Sequence, residues 1–177
     1  MNGRRERINA NKYRVDLSYP EAMAFKPDES TALLLLSDYS GRVSELDAVS
    51  QYIFQKIMFE KSFPDVSEAL LGIAVVEMEH LELLGGFIRT LGVVPEFYSC
   101  EKGKHVYWNA CPKNVDYTVN VKKALLGDIN IEMKAIKQYE KHIEQTEDEY
   151  VKCALRRIIL DEQLHIDILS ELYIKHS

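Results

Sequence analysis

Residues 30–177 are expected to form an all-α bundle of four long helices, built as two antiparallel helical hairpins joined by one long crossover. Three observations carry this expectation. Apolar residues recur at spacings of three and four over four long stretches. Short turns separate the first stretch from the second and the third from the fourth, whereas about 23 residues separate the second from the third. The two halves of the chain also repeat the same polar motifs at nearly the same offset.

Taken in order, residues 1–29 are polar, contain Pro20 and Pro27 and show no sustained periodicity, so they read as an irregular N-terminal arm. From Asp28 or Ser30 the run "TALLLLSDYSGRVSELDAVSQYIFQKIMFEKSF" is periodic as far as Pro64, which suits one long helix. The next run, "PDVSEALLGIAVVEMEHLELLGGFIRTLG", offers Asp65 or Ser67 as its N-cap and Gly92 as its C-cap. Residues 93–115, with Pro95, Gly103, Trp108, Pro112 and scattered aromatics, read as a connection with short extended pieces. The Trp108 region either covers the site described below or forms a partner interface. Two further helices are expected at roughly 117–145 and 148–175, joined near "TEDE". Fully extended, the crossover spans on the order of 75 Å, against roughly 42 Å for a helix of about 28 residues. It can therefore run the length of the bundle and start the third helix parallel to the second.

Composition excludes several classes. A hydrophobic fraction of 46% and a charged fraction of 28% belong to a globular chain, and 177 residues suffice for one continuous core. A net charge of −6, with no basic cluster beyond "GRRER" near the start, argues against nucleic acid as a partner. No apolar run is long enough for a membrane span, and the start lacks the apolar core of a signal peptide. Cys100, Cys111 and Cys153 form no C-x-x-C pair and are expected as free thiols, which fits a cytoplasmic location.

The repeat carries the chemistry. "ELDAVSQY" and "EMKAIKQY" both read E-x-x-A-x-x-Q-Y, placing Glu45 and Tyr52 in one half, Glu132 and Tyr139 in the other. "EMEHLELL" and "EQLHIDIL" both read E-x-x-H, giving Glu77 with His80 and Glu162 with His165. A lone E-x-x-H carries little, but two copies, each preceded by the same longer motif, mark an internal duplication. Positions three apart share a helix face, so each Glu–His pair points one way. Four carboxylates on inward faces would repel one another unless neutralised, and two divalent cations with two neutral imidazoles balance the set. One Glu from each of two helices plus a Glu-x-x-His from each of the other two is a known di-metal arrangement of bundle cores. Ala48 and Ala135 are small enough to leave room beside the ligands. Tyr52 and Tyr139 are placed to hydrogen-bond ligand carboxylates on a facing helix, or else are core aromatics. Glu79, Glu82, Asp161 and Asp167 fall off the ligand face and are expected as surface charge, and His105, His142 and His176 match no ligand pattern and are expected to be exposed.

These motifs resemble the ferritin-like di-metal carboxylate superfamily, and within it the rubrerythrin and manganese-catalase branch, over about residues 30–175. The resemblance implies a ferritin-like bundle in which Glu77 and Glu162 bridge two Fe or Mn ions, Glu45 and His80 complete one metal, and Glu132 and His165 complete the other. It implies redox chemistry on hydrogen peroxide or dioxygen, as a rubrerythrin-like peroxidase served by an external electron donor or as a manganese-catalase-like enzyme. The alternative is an iron-storage protein with ferroxidase activity. Departures are visible: no cysteine pair could build a rubredoxin domain, and Ala135 stands where many rubrerythrins carry a further glutamate. Met78 follows Glu77 as the haem-ligating methionine follows the bridging glutamate in bacterioferritin, but it reads as a packing residue and haem is not expected. Only 12 residues follow His165, too few for the fifth helix of cage-forming relatives, so a homodimer is expected.

Overall fold

A computed structural model describes residues 9–101, 103–108 and 115–177; the arginine-rich start and Cys111 lie outside them. A single turn of 3₁₀ helix at Ala10–Lys12 is followed by α1 (Glu29–Ser40), α2 (Glu45–Phe59), α3 (Pro64–Thr90), strands β1 (Tyr98–Glu101) and β2 (Lys104–Tyr107), α4 (Val121–Gln145) and α5 (Glu149–Lys175). The expected first helix is thus two helices that share one corner of the bundle. Asp28 caps α1 through its side chain, and α1 ends at Gly41, a poor helix former. Ser44 then caps α2 by accepting from the Asp47 N–H. Gln138 of α4 holds the interruption in place, donating to Asp38 Oδ1 at 2.7 Å and to the Val43 carbonyl at 2.9 Å.

Helix α3, expected as the second, starts with Pro64 in its first turn, where a missing N–H costs nothing, and has no side-chain cap. Asp65 instead pairs with Lys175 and His176, and Ser67 donates to the Lys56 carbonyl. Past the other end, Gly92 takes φ +94° and its N–H reaches the Arg89 carbonyl while that of Val93 reaches Ile88, closing the helix as a Schellman motif. Asn120 and Asp148 cap α4 and α5.

Side-chain pairings fix the directions. Glu45 meets Tyr139 and Tyr52 meets Glu132, so α2 and α4 are antiparallel. His80 meets Asp161 and Asp65 meets Lys175, so α3 and α5 are antiparallel as well. With α2–α3 and α4–α5 each a tight hairpin, α3 and α4 run parallel, as the long crossover requires. That crossover forms an antiparallel β-hairpin with Tyr98 opposite Tyr107 and Cys100 opposite His105. The hairpin packs on α1, where Ser40 donates to the Tyr98 carbonyl, and the Trp108 indole N–H donates to Asp47 of α2.

Among the described residues the apolar interior forms two clusters. One, around Tyr52, Phe59, Leu70, Ile73 and Leu125, fills the end near the α2–α3 turn. The other, around Leu35, Leu36, Phe87, Leu155 and Ile158, fills the opposite end beneath α1. A buried polar layer lies between them, and every candidate ligand belongs to it.

Candidate metal centre

Glu45, Glu77, His80, Glu132, Glu162 and His165 are all at most 2% exposed. They converge into two groups whose nearest donor atoms lie within 4.8 Å of one another. Glu45, Glu77, His80 and Glu162 form one group, and Glu77, Glu132, Glu162 and His165 the other. Glu77 and Glu162 are common to both, which is the arrangement a bridging pair would have.

Both imidazoles present the same edge. His80 Nδ1 lies 2.9 Å from Glu77 Oε2 and 3.5 Å from Glu162 Oε1. His165 Nδ1 lies 2.9 Å from Glu77 Oε1 and 3.0 Å from Glu162 Oε2. The outer nitrogens are held from behind: His165 Nε2 is 2.8 Å from the Tyr13 carbonyl, and His80 Nε2 is 3.1 Å from Asp161 Oδ2. A carbonyl only accepts, so His165 carries its hydrogen on Nε2, and in the neutral ring Nδ1 keeps a lone pair turned into the site.

Tyr52 donates to Glu132 Oε1 and Tyr139 to Glu45 Oε1. The two tyrosines of the repeated motif therefore reach across to each other's half. Burial, reinforced by the neighbouring carboxylates, pushes both phenols well above their ordinary value, so they remain donors at any physiological pH. Burial likewise raises the carboxyls of Glu45 and Glu132, helped by Glu77 beside the first and Glu162 beside the second. Burial also pushes Glu77 up, but His165 and His80 outweigh it and hold Glu77 ionised. For the imidazoles burial acts downward and is overcome: Glu45 and Glu162 raise His80, and Glu77 and Glu162 raise His165. Packed this closely, the carboxylates must share positive charge, and protons compete with divalent cations for the same oxygens and Nδ1 atoms. Glu77 Oε1 is buried with His165 Nδ1 as its near neighbour, at 2.9 Å. The mixed oxygen–nitrogen donor set, without thiolate, fits Fe or Mn.

Other expectations divide. Glu82 and Asp167 are exposed, and Glu79 is half-exposed and paired with Arg14. Asp161 overturns its expectation as surface charge, because the N-terminal arm covers that face of α5. It is fully buried and accepts from the Val15 N–H, the Tyr19 hydroxyl and the His80 ring, with Arg157 at 2.8 Å. His142 is buried too, with Nδ1 2.8 Å from Asp38 Oδ2. His105 is exposed and His176 half-buried against Asp65. Met78, expected to pack, is 43% exposed on the outer face of α3. Cys100 and Cys153 are free thiols.

The sequence reading also missed the glutamines of the duplicated motif. Gln51 and Gln55 donate to Asp128 Oδ1, while Gln138 and His142 hold Asp38, so each half carries a further buried carboxylate, held from the motif glutamine of the other half and from the residue three positions after its tyrosine. The repeated order of Gln before Tyr, Gln51-Tyr52 and Gln138-Tyr139, was the available signal. For the arm there was none, since its residues are irregular and polar. Between arm and α3 lies an open groove of about 530 Å³, lined by Arg14, Tyr19, Glu79, Glu82 and Gly86 among others. Tyr19 separates it from His80, with the two rings edge to face at 5.7 Å.

The model of the rubrerythrin family matches residues 41–173. No curated protein matches the sequence. Among solved structures, a manganese catalase from Anabaena is 24% identical over 85% of this chain and 74% of its own, with a TM-score of 0.76. A Desulfovibrio desulfuricans bacterioferritin, described with a diiron site, is 22% identical over 82% of this chain and 79% of its own, with a TM-score of 0.65. A Mycobacterium tuberculosis bacterioferritin is 22% identical over 85% and 90%, with a TM-score of 0.67. These likenesses share the ferritin-like four-helix bundle.

Proposed function

The chain belongs to the rubrerythrin family, and on that premise we propose that its buried polar layer holds two Fe or Mn ions and acts as a redox centre on hydrogen peroxide or dioxygen. The observation that carries this reading is the pair of four-residue groups sharing Glu77 and Glu162, with both Nδ1 atoms facing inward. Two adjacent ions, each changing by one electron, would supply the two electrons that O–O cleavage requires.

The protein's own part is positional. Glu77 and Glu162 span both groups and would set the separation of the two ions, while Glu45 with His80 and Glu132 with His165 would complete one ion each. Tyr52 and Tyr139 fix the carboxylates of Glu132 and Glu45 by donating to them, which limits each to the orientation its free oxygen allows. The two apolar clusters exclude water from either side, so charge interactions inside the layer are strong.

The test is elemental analysis after reconstitution with Mn(II) or Fe(II), followed by peroxide consumption with and without an added reductant. About two ions per chain are expected, with peroxide consumed. Consumption that needs the reductant indicates a peroxidase, and consumption without it a catalase. Replacing Glu77→Ala together with Glu162→Ala should abolish loading of both ions. Unchanged stoichiometry in that double variant would remove the bridging assignment.

A further inference from the structure

We propose that the N-terminal arm is part of the metal-binding apparatus: the Tyr13 carbonyl and the Tyr19–Asp161 pair hold the outer nitrogens of His165 and His80, so that arm docking and site occupancy form one coupled equilibrium. The inference rests on the di-metal reading above. The residues matched by the family model begin at 41, so the arm is not accounted for by family membership.

The arm reaches both histidines. It contacts His165 directly through the Tyr13 carbonyl at 2.8 Å. It reaches His80 through Asp161, whose Oδ1 accepts the Val15 N–H at 2.7 Å and whose Oδ2 accepts the Tyr19 hydroxyl at 2.6 Å. Arg157 completes the clamp, donating to the carbonyls of Val15 and Leu17 while its charge lies beside Asp161. The seat on α3 is shaped for this docking. A Cβ at Gly72 would lie 2.1 Å from Tyr13 Cε2, so the Tyr13 ring rests where any side chain would stand.

The two halves of the site are therefore not equivalent, although the sequence motifs are duplicated. His80 is backed by a carboxylate and His165 by a neutral carbonyl, and an anionic acceptor strengthens an imidazole as a ligand more than a carbonyl does. The ion beside His80 should bind more tightly. Linkage makes the coupling reciprocal: whatever factor the docked arm adds to metal affinity, the metal adds to arm docking.

The experiment uses Co(II), whose visible bands report its binding, titrated into the full chain against a competing chelator, with amide hydrogen exchange read at Val15. Two Co(II) ions of unequal affinity are expected, with Val15 exchange slowed about tenfold or more on loading. Tyr19→Phe keeps the ring and removes the hydroxyl; it should weaken the tighter ion about tenfold, and Asp161→Asn should weaken it by about 10–100-fold. Gly72→Ala should push out Tyr13 and weaken the other ion, with metal-free helix content unchanged in Tyr19→Phe. If the affinities in Tyr19→Phe and Gly72→Ala equal the parent's and Val15 ignores Co(II), the arm is packing only and the proposal is overturned while the metal reading stands. If the parent binds no Co(II), or the Glu77→Ala and Glu162→Ala variant binds as much, the metal reading fails and this proposal fails with it.

Discussion

Asp128 and Asp38 are the informative side chains outside the ligand set. Both are fully buried, Asp128 one helical turn before Glu132 and Asp38 at the end of α1, across the break from Glu45, and each is held by two side chains from the opposite half. Their chemistry differs. Burial raises Asp38 above its ordinary value although His142 pulls the other way, whereas Asp128 is held by neutral amides, and burial raises it from 3.8 to about 7. A carboxyl whose folded value is raised stabilises the fold fully below its unfolded value, and that contribution disappears as pH rises through the folded value. Asp128 should therefore cost stability between about pH 4 and pH 7, by at most on the order of 4 kcal/mol. Asp128→Asn should remove this contribution, so denaturant midpoints of variant and parent should diverge in the variant's favour from pH 5 to pH 8. The duplicated motifs made the six ligand candidates and two tyrosines legible, because a helix places residues three and seven apart on one face. Asp161 and His142 were not legible. Each sits off that face, and its burial depends on what the chain lays over it, the arm in one case and α1 in the other.

The interruption between α1 and α2 shows the limit of periodicity. Apolar spacing survives a four-residue break when both segments fill the same corner, so the pattern reads as one helix. What differs is polar: Ser44 as a cap, and Gln138 bridging Asp38 and Val43. Gln138→Ala should cost about 1–3 kcal/mol, since it strips a donor from a buried carboxylate and from a break carbonyl. Chemical denaturation measures that cost, and a change within error would show that the break is held by packing alone. The helix ends at Pro64, Gly92, Asn120 and Asp148 follow local backbone chemistry and fall close to where the sequence placed them. The β-hairpin of the crossover was expected only as short extended pieces, because its register is fixed by docking on α1 rather than by a strong turn sequence.

The whole bundle is built around a layer that opposes folding unless it is neutralised. Metal binding to the native state alone should raise the melting temperature, with about 2.7 kcal/mol gained at a hundredfold excess over Kd. Against burial, the neighbouring carboxylates raise His80 and His165, so protons occupy the Nδ1 atoms more fully as pH falls, and the Mn(II)-induced shift should be larger at pH 8 than at pH 6. Thermal melts at the two pH values check the sign, and an equal shift would mean that the histidines do not exchange protons for metal. Among the described residues no helix is long and apolar enough to cross a membrane. The amino-acid order was enough to specify the bundle, its crossover and the inward set of four glutamates and two histidines, because helical periodicity and a duplication are properties of spacing. Which charges are buried beyond that set depended on the arm's path over α3 and α5 and on the seating of α1, and the arm's path decided which histidine is backed by a carboxylate and which by a carbonyl. Contacts between residues some 140 to 150 positions apart leave no periodic trace in the chain.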